Sequence, residues 1–412
     1  MDIDGPHGDK GTYAIAPVEK EMAIGYDDII TWNSFPDKPK SHKTIGFLSR
    51  ISPDGSHVVS TVNESVYVQN FTNFRYLQVF FPTRGIIAYY SRDTREMKAL
   101  PGADDPEYVQ CDPVWSPDGK WIVFARAKAF DPFQEDQQRA KYANDPNEPQ
   151  VQYDLYRVPF NNGRGGTPEP IQGASQNGMS NGFPKVSPDG KWLVWVKCRN
   201  GQLMRPDGRL WIVPFEGGEA REMTCNTPEM NSWHSFSPNG RWMVFSSKKN
   251  RPYTEAFLTH IDEDGNDTPA ILIPNCTADN RAVNLPEFLN ASYDALDSID
   301  VPAVRHHEQL WQGQMAMNQK NWSQAIEYLQ GALEDEPEFT NARVTLGTAF
   351  VAMGQMDEAI KQFRLAQQDN PYDFGANLEL GRALLHTKRP DQAIRYLKKA
   401  LAIVPNHEES VS

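Results

Sequence analysis

The chain has few of the features that mark disulfide-rich, membrane-spanning or nucleic-acid-binding proteins. Only four cysteines occur in 412 residues, and none lies in a CxxC or CxxCH motif. This excludes a zinc ribbon and an attached c-type haem, and we expect four small buried side chains. No run of 18 apolar residues is present, so no transmembrane segment is predicted. Lys and Arg number 41 against 54 Asp and Glu, so nucleic acid is not an expected partner.

Signals for catalysis and cofactors are also scarce. We predict no nucleophile elbow, no α/β-hydrolase domain and no cofactor. Asp262, Asp264 and Asp267 are close in the sequence and are weak calcium candidates. Because they fall between two strand-like runs, an Asp-Gly hairpin turn is the favoured interpretation and no metal site is predicted. The sequence therefore favours a non-enzymatic protein.

One short motif recurs through the first 300 residues. It reads Ser-Pro-Asp-Gly, or Ser-Pro-Asn-Gly in the last copy, with 50 to 71 residues between copies. Proline fixes φ, Asp or Asn bonds its own backbone and Gly accepts a positive φ, so each copy predicts a hairpin turn. Strand-like runs follow each turn, and a repeated strand unit of this kind is typical of a β-propeller. The copies are Ser52–Gly55, Ser116–Gly119, Ser187–Gly190 and Ser237–Gly240.

At these motifs the chain resembles the TolB-like propellers, over roughly residues 45–275. The resemblance implies an all-β propeller but no particular activity, because propellers host hydrolases, lyases and binding platforms alike. By analogy it suggests a periplasmic or extracellular location, while the polar N-terminus, which is no secretory signal, leaves a cytoplasmic location open. Some such proteins carry a haem-binding motif; this chain has none, so haem would have to come from a partner protein.

The predicted propeller spans residues 1–293. We expect residues 1–46 to supply outer strands that pair with residues 281–290 and close the ring. This gives five blades, or six if the N-terminal region contains a degenerate one. Two blades carry insertions: residues 63–84 are rich in aromatic side chains that must be buried, and residues 128–150 are polar and predict a solvated excursion.

The periodicity becomes helical from residue 306. Gly313, Gly347 and Gly381 are 34 residues apart, and alanines and prolines recur at the same spacing. This pattern resembles the tetratricopeptide repeat, in which small residues lie where paired helices touch and Pro ends each second helix. We therefore predict a multidomain chain: the propeller, a linker at 294–305, and an all-α solenoid of three repeats at 306–412.

In the tetratricopeptide family the first helix of each repeat lines a groove that binds partners. Chaperone-binding members hold a terminal carboxylate there with Lys, Asn and Arg, but this chain has Leu310, Val344 and Thr348 in such places. The groove is instead expected to bind an apolar helix, an extended segment or the flank of the chain's own propeller. The predicted groove residues are Leu310, Gln314, Met317, Asn341, Val344, Thr348, Val351, Leu378, Arg382 and Leu385.

The propeller channel is a second candidate site. His234 lies three residues before the last motif, where the second and third copies have Pro113 and Pro184. This position belongs to the innermost strand, so His234 is expected at the channel mouth together with Asn231 and Trp233. A hydrogen-bonded structural histidine and a ligand contact both stay open.

Three functional hypotheses follow. The leading one is a non-enzymatic protein–protein interaction scaffold of an envelope-associated assembly, with protein partners on the propeller face and in the repeat groove. The alternative is a small-molecule- or glycan-binding, or hydrolytic, propeller with its site near His234. A third is self-assembly into a homo-oligomer or filament through the last repeat, which has no predicted capping helix.

Overall fold

The computed structural model describes residues 11–32, 46–71, 76, 78–132, 139–202, 205–277 and 281–403. The chain divides into two compact units. The strand unit comprises Met1–Ala14 and Ile30–Ala295, and the helical unit comprises Ile15–Ile29 and Leu296–Ser412. The predicted domain limits, 1–293, 294–305 and 306–412, stay a prediction.

Each motif forms the same hydrogen-bonded turn. In the third copy, Ser187 Oγ donates to Asp189 Oδ1 at 2.5 Å and accepts from the Trp192 amide at 2.9 Å. Gly190 has a φ of 73° and donates its amide to the Ser187 carbonyl at 2.8 Å. The other three copies repeat these bonds. The four predicted hairpin turns are therefore present.

Three short strands precede four antiparallel meanders, each with one motif turn between its first two strands. The short strands are β1 (Gly11–Ala14), β2 (Glu21–Ala23) and β3 (Ile29–Trp32). The first meander is β4 (Gly46–Ile51), β5 (His57–Asn70), β6 (Gln78–Ser91) and β7 (Glu96–Ala99). The second is β8 (Tyr108–Trp115), β9 (Trp121–Lys128), β10 (Asp154–Pro159) and β11 (Glu169–Pro170). The third is β12 (Ser180–Val186), β13 (Trp192–Cys198), β14 (Arg209–Pro214) and β15 (Arg221–Glu222), and the fourth is β16 (Asn231–Phe236), β17 (Trp242–Ser247), β18 (Glu255–His260) and β19 (Ile271–Leu272).

The strand unit is rich in sheet but the described strands do not form one closed sheet. The first two meanders join in an eight-stranded sheet through a single parallel pairing of Gly85 with Val109. The predicted composite blade has no counterpart among the described residues, because β1 pairs with β3 and residues 281–290 contain no strand. The Val283 amide instead donates to the Thr254 carbonyl at 3.0 Å, so this segment runs beside the fourth meander. Residues 1–10 and 33–45 of the predicted blade lie outside the described part of the chain.

Adjacent meanders pack through aromatic and aliphatic side chains. One buried cluster, which includes Trp115, Phe124 and Phe160, joins the first two meanders. A second cluster around Trp195 joins the first three, and a third around Phe245 joins the third and fourth. The strands therefore bury their side chains on both faces, as the runs after each motif predict.

The two predicted insertions differ in outcome. The aromatic-rich stretch extends β5 and β6 into one long hairpin, and Tyr67 and Phe81 from it are buried. Residues 139–150 of the polar insertion are only partly solvated, because buried side chains attach them to the rest of the unit. Glu148 in this segment is 2% exposed and accepts two hydrogen bonds from the equally buried Arg205 guanidinium. This ion pair anchors the segment to the third meander; residues 133–138 lie outside the described residues.

The described part of the helical unit, which ends at residue 403, contains six α-helices in three antiparallel pairs. Gly313, Gly347 and Gly381 lie where paired helices touch, since a Cβ at Gly347 would fall 2.4 Å from the Phe363 ring. Residues 15–29 join this unit because β2 pairs in parallel with β20 (Ser298–Asp300). None of the helices in the described ranges combines the length and apolarity that crossing a membrane requires. The helices are α1 (Arg305–Asn318), α2 (Trp322–Asp335), α3 (Thr340–Ala352), α4 (Met356–Asp369), α5 (Phe374–His386) and α6 (Pro390–Ile403).

Candidate functional site

The predicted groove residues lie on the first helices of the three pairs. Helix α3 contacts both α1 and α5, so these helices are neighbours in the stack. We call the surface formed by the ten predicted residues on α1, α3 and α5 the first-helix face. Its half-buried members are Leu310, Met317, Val344 and Thr348, and its exposed members are Gln314, Asn341, Val351, Arg382 and Leu385.

Exposed apolar and polar side chains alternate on the first-helix face. Val351 is 38% exposed and Leu385 is 47% exposed, whereas Leu378 is buried at 5%. Arg382 pairs with Glu379 at 3.2 Å on the same helix, so its charge is compensated locally. The Thr348 hydroxyl donates to the Val344 carbonyl at 3.0 Å, so this hydroxyl is already engaged with its own helix. The face therefore offers apolar contact area flanked by polar groups.

A second candidate site lies where the first strands of the four meanders converge. Each of these strands has a β-bulge, and the residue at each bulge has a positive φ of 52° to 55°. All four bulge residues line one cavity, which we call the central cavity. A bulge re-aims side chains away from the regular alternation of a strand. The four bulge residues are Leu48, Asp112, Phe183 and Trp233.

Charged groups from several segments also line the central cavity. Lys185 Nζ lies 3.2 Å from Glu287 Oε1, and the Ser235 hydroxyl donates to Glu287 Oε2 at 2.9 Å. Burial lowers the pKa of Lys185 to about 8, with a further contribution from the charge of Arg50. The pKa of Glu287 is lowered. Burial alone would raise it, but the nearby charges of Lys185 and Arg50 have the larger effect.

The three predicted channel residues are placed differently. Asn231 is fully buried and satisfied: its Nδ2 donates to the Gly208, Thr227 and Glu229 carbonyls. Trp233 and His234 line the central cavity, and the Trp233 and Phe183 ring centroids are 4.9 Å apart. Asn231 therefore supports the backbone, while its two neighbours face the cavity.

The hydrogen bonds of His234 define its state. Its Nε2 lies 3.1 Å from the Val194 carbonyl, which can only accept, so Nε2 carries the proton. Burial lowers the pKa of His234 to about 3, so the ring is neutral at physiological pH. Its Nδ1 is thus a lone-pair acceptor, and it has no hydrogen-bond partner among the described residues.

The free volume of the central cavity is about 20 Å³, which is room for one water-sized group. A sugar ring needs several times this space. The geometry thus gives no support to a glycan site next to His234, and any ligand must place only a small group inside.

Asp112 is a cavity residue that our sequence analysis did not single out. Its carboxylate oxygens are buried and have no hydrogen-bond partner among the described residues. Burial raises its pKa to about 7, opposed by the backbone amide of Phe183 and, to a smaller extent, by the charge of Arg50. The signal was present in the repeats: four residues before the motif Ser, Asp112 stands in a column with Leu48, Phe183 and Trp233. Asp112 is thus the one carboxylate among the four bulge residues, which makes it a candidate binding residue.

The weak calcium candidates lie in the loop between β18 and β19. Asp262 Oδ1 accepts the amides of Asp264 and Asn266 at 3.0 and 2.8 Å, which is the bonding of a tight turn. Asp267 is engaged elsewhere, by Arg221 Nη1 at 3.1 Å and by the Cys225 amide. The carboxylates of Asp262 and Asp267 are therefore occupied in local structure, and Asp264 takes part in the turn through its amide.

One G-x-S-x-G match does occur, at residues 178–182, which our prediction of no nucleophile elbow overlooked. Ser180 begins strand β12 and is fully buried. Its hydroxyl donates to the Gly201 carbonyl at 2.6 Å and accepts from the Tyr153 amide at 3.2 Å. A nucleophile elbow needs an exposed Ser on a strand-to-helix turn, so this match is structural. The cysteine prediction fails at one position, because Cys276 is exposed while the other three are buried.

Comparisons with known proteins concern the helical unit. A family model described as tetratricopeptide repeat matches residues 311–374 and 344–408. This match supports the predicted tetratricopeptide repeats, and such domains are protein–protein interaction modules. No curated protein matches the chain.

Several solved tetratricopeptide structures are similar to part of the chain. The TPR domain of Arabidopsis OM64 is 17% identical over 27% of this chain and 91% of its own, with a TM-score of 0.26. The first TPR of Spaghetti (RPAP3), bound to an HSP90 peptide, is 16% identical over 26% and 86%, with a TM-score of 0.26. The Sgt2 TPR domain from Aspergillus fumigatus is 23% identical over 26% and 72%, with a TM-score of 0.25.

Proposed function

We propose that this protein is a non-enzymatic interaction scaffold, in which the helical unit binds a segment of a partner protein on its first-helix face. The observation that carries the proposal is the exposure of apolar side chains at equivalent positions of successive repeats, Val351 on α3 and Leu385 on α5. Tetratricopeptide domains act as interaction modules, and the family match lies in the same unit.

The chemistry of the first-helix face defines the partner segment. Half-buried Leu310, Met317 and Val344 form an apolar floor, and the exposed Val351 and Leu385 extend it. A helix or extended segment with apolar anchors at regular spacing would remove this surface from water, which is the main source of affinity in such grooves.

Polar groups at the edge of the first-helix face would set the orientation of the segment. Gln314 and Asn341 are exposed and offer amide donors and acceptors, and the ion pair of Arg382 with Glu379 adds one group of each charge. Capture of a terminal carboxylate is not part of the proposal, because Leu310, Val344 and Thr348 provide no cationic clamp. We expect an internal segment of the partner chain, held mainly by apolar side chains.

The four meanders are the second part of the proposed scaffold. We propose that they are blades of a TolB-like propeller platform, because four equivalent bulged strands share one central cavity. An envelope-associated assembly and a periplasmic or extracellular location belong to the same proposal and rest on the family analogy. Self-association through α6, where Ile394 is 49% exposed, would appear as concentration-dependent mass in analytical ultracentrifugation.

Selection of binding peptides tests the proposed function. Peptides displayed on phage are selected on the purified full chain, and their affinities are then measured for the double variant Val351→Glu/Leu385→Glu. We expect the dissociation constant to rise at least about tenfold, since two buried charges are introduced into an apolar contact. The matched control is Ile271→Glu, an exposed apolar residue on β19 outside the helical unit. Equal loss in the control and the double variant, or no loss in either, would contradict the proposal.

A further inference from the structure

The central cavity contains a buried carboxylate that nothing in the described structure neutralises by direct contact. Asp112 is 5% exposed, and neither carboxylate oxygen has a hydrogen-bond partner among the described residues. An isolated buried carboxylate is costly, so it must take up a proton or a cationic ligand. Arg50 lines the same cavity but forms no ion pair with Asp112 within 4.0 Å. The site is thus open to an added cation.

The unpartnered groups define which cation fits. Three acceptor atoms lack a partner: the two oxygens of Asp112 and Nδ1 of His234. A primary ammonium group has three N–H donors and no acceptor. The aromatic rings of Phe183 and Trp233 line the same space and favour a cation over their faces. We propose that the central cavity binds the protonated amino group of a primary amine.

Other cations fit the central cavity less well. Calcium takes six to eight oxygen ligands, whereas the cavity has a single free carboxylate, and the described residues contain no cluster of three His, Cys, Asp or Glu that could hold a metal. A quaternary ammonium has no N–H donors and exceeds a free volume of about 20 Å³. A primary ammonium is close to water in size, and the cavity holds one such group.

The part of the ligand next to the amino group would lie against the indole of Trp233, which lines the central cavity. The indole Nε1 of Trp233 is buried without a hydrogen-bond partner in the described structure, and it can only donate. A carbonyl next to the amine would accept this bond, as in an amino-acid amide or a peptide N-terminus. A free alkylamine has no carbonyl and would leave the Trp233 Nε1–H without an acceptor. Binding measurements can therefore distinguish a free alkylamine from an amine with an adjacent carbonyl.

Charged neighbours set the pH dependence of the site. Arg50, Lys185, Glu287 and His234 line the cavity with Asp112, and Cys111 precedes it in the strand. Protons compete with the amine for Asp112 below about pH 7, where its carboxyl is neutral. Lys185 loses its charge near pH 8, which weakens repulsion of a cation. Amine binding therefore strengthens from pH 6 to pH 8.

Indole NMR of the full chain tests the proposal. The ten tryptophans give side-chain N–H signals, and Trp233→Phe identifies the one from Trp233. Methylammonium chloride at pH 8 should shift this signal selectively, and tetramethylammonium chloride at equal ionic strength should not. Equal responses to both salts in the wild-type protein would overturn the proposal, and the variant serves only to identify the signal.

A matched pair of variants tests the role of Asp112. Asp112→Asn should weaken methylammonium binding at least about tenfold, because a charge-assisted bond is replaced by a neutral one, and should abolish its rise from pH 6 to pH 8. Asp93→Asn makes the same change at an exposed turn and should leave binding intact. Unchanged binding in Asp112→Asn would overturn the proposal.

A comparison of glycinamide with N-acetylglycinamide identifies the source of the amine. Tighter binding of glycinamide than of methylammonium assigns the site to an amine with an adjacent carbonyl, and equal binding assigns it to a free amine. The acetylated compound has no ammonium, and binding as tight as that of glycinamide would contradict the proposal. The outcome is independent of peptide binding on the first-helix face.

Discussion

Asp112 and His234 are buried around the same cavity, yet their pKa values move in opposite directions. The folded-state pKa of Asp112 is raised to about 7, so its stabilising contribution is present below about pH 4 and is lost as the pH rises towards 7. The folded-state pKa of His234 is lowered to about 3, so its contribution is present above about pH 6.5 and is lost as the pH falls. Between about pH 4 and 6.5 the two effects oppose each other.

Single substitutions at these residues should separate the two effects. Relative to wild type, Asp112→Asn should gain in free energy of unfolding as the pH rises from 4 to 7, by up to about 4 kcal/mol for three pKa units. His234→Gln should gain relative to wild type as the pH falls from 6.5 to 3. Urea unfolding at pH 4, 5.5 and 7 measures both differences. If the difference in free energy of unfolding between a variant and wild type stays constant from pH 4 to pH 7, the substituted group does not have the shifted pKa that its burial implies.

Individual residues also show what the sequence could and could not predict. Trp233 and His234 were found because they lie at a fixed offset from a repeated motif, and the described strands place both at the cavity. Asp112 was missed because only the bulge, with its positive φ, turns its side chain inwards, and alternation along a strand gives no sign of a bulge. Glu148 was assigned to a solvated loop because its partner Arg205 is 57 residues away in the sequence. Local polarity cannot reveal such a pair.

At the scale of elements, the helix pairs depend on glycine at one close contact per repeat. The second repeat has Phe363 opposite Gly347, where the other two repeats have Leu opposite Gly313 and Gly381. The 34-residue spacing predicted these contacts because a repeat fixes which positions face each other. The strand hairpins were predictable for the same reason, whereas the pairing of β2 with β20 was not, since parallel partners can be far apart in the sequence.

Gly347→Ala should destabilise the helical unit. The new Cβ would lie 2.4 Å from a Phe363 ring carbon, and overpacking of a buried contact costs roughly 1–3 kcal/mol, more than the helix propensity gained from Ala. Adding Phe363→Leu should recover part of the loss, because Leu is the partner in the other two repeats. Thermal unfolding followed at the helical signal in circular dichroism measures both. Full stability of the single variant would mean that α3 and α4 are not in this contact.

At the scale of the whole molecule, the chain joins two repetitive units whose repeats create surfaces that no single repeat has. Four bulged strands create the central cavity, and three first helices create the first-helix face. The architecture of the helical unit was predictable from its period and the four meanders from their motifs. The arrangement of the N-terminal strands and of residues 281–290 was not predictable, because these segments lack the motif. The repeats determine the fold. Residues that differ between equivalent positions of the repeats, such as Asp112 and Arg382, provide charged groups.

Methyl NMR of the full chain, titrated with a selected peptide, tests the central claim most directly. The account predicts that methyl signals of Leu310, Val344, Val351 and Leu385 shift on peptide addition, while that of Ile394 on α6 stays in place. Shifts at Ile394 or in the strand unit, with the first-helix signals unchanged, would contradict the assignment of partner binding to the first-helix face.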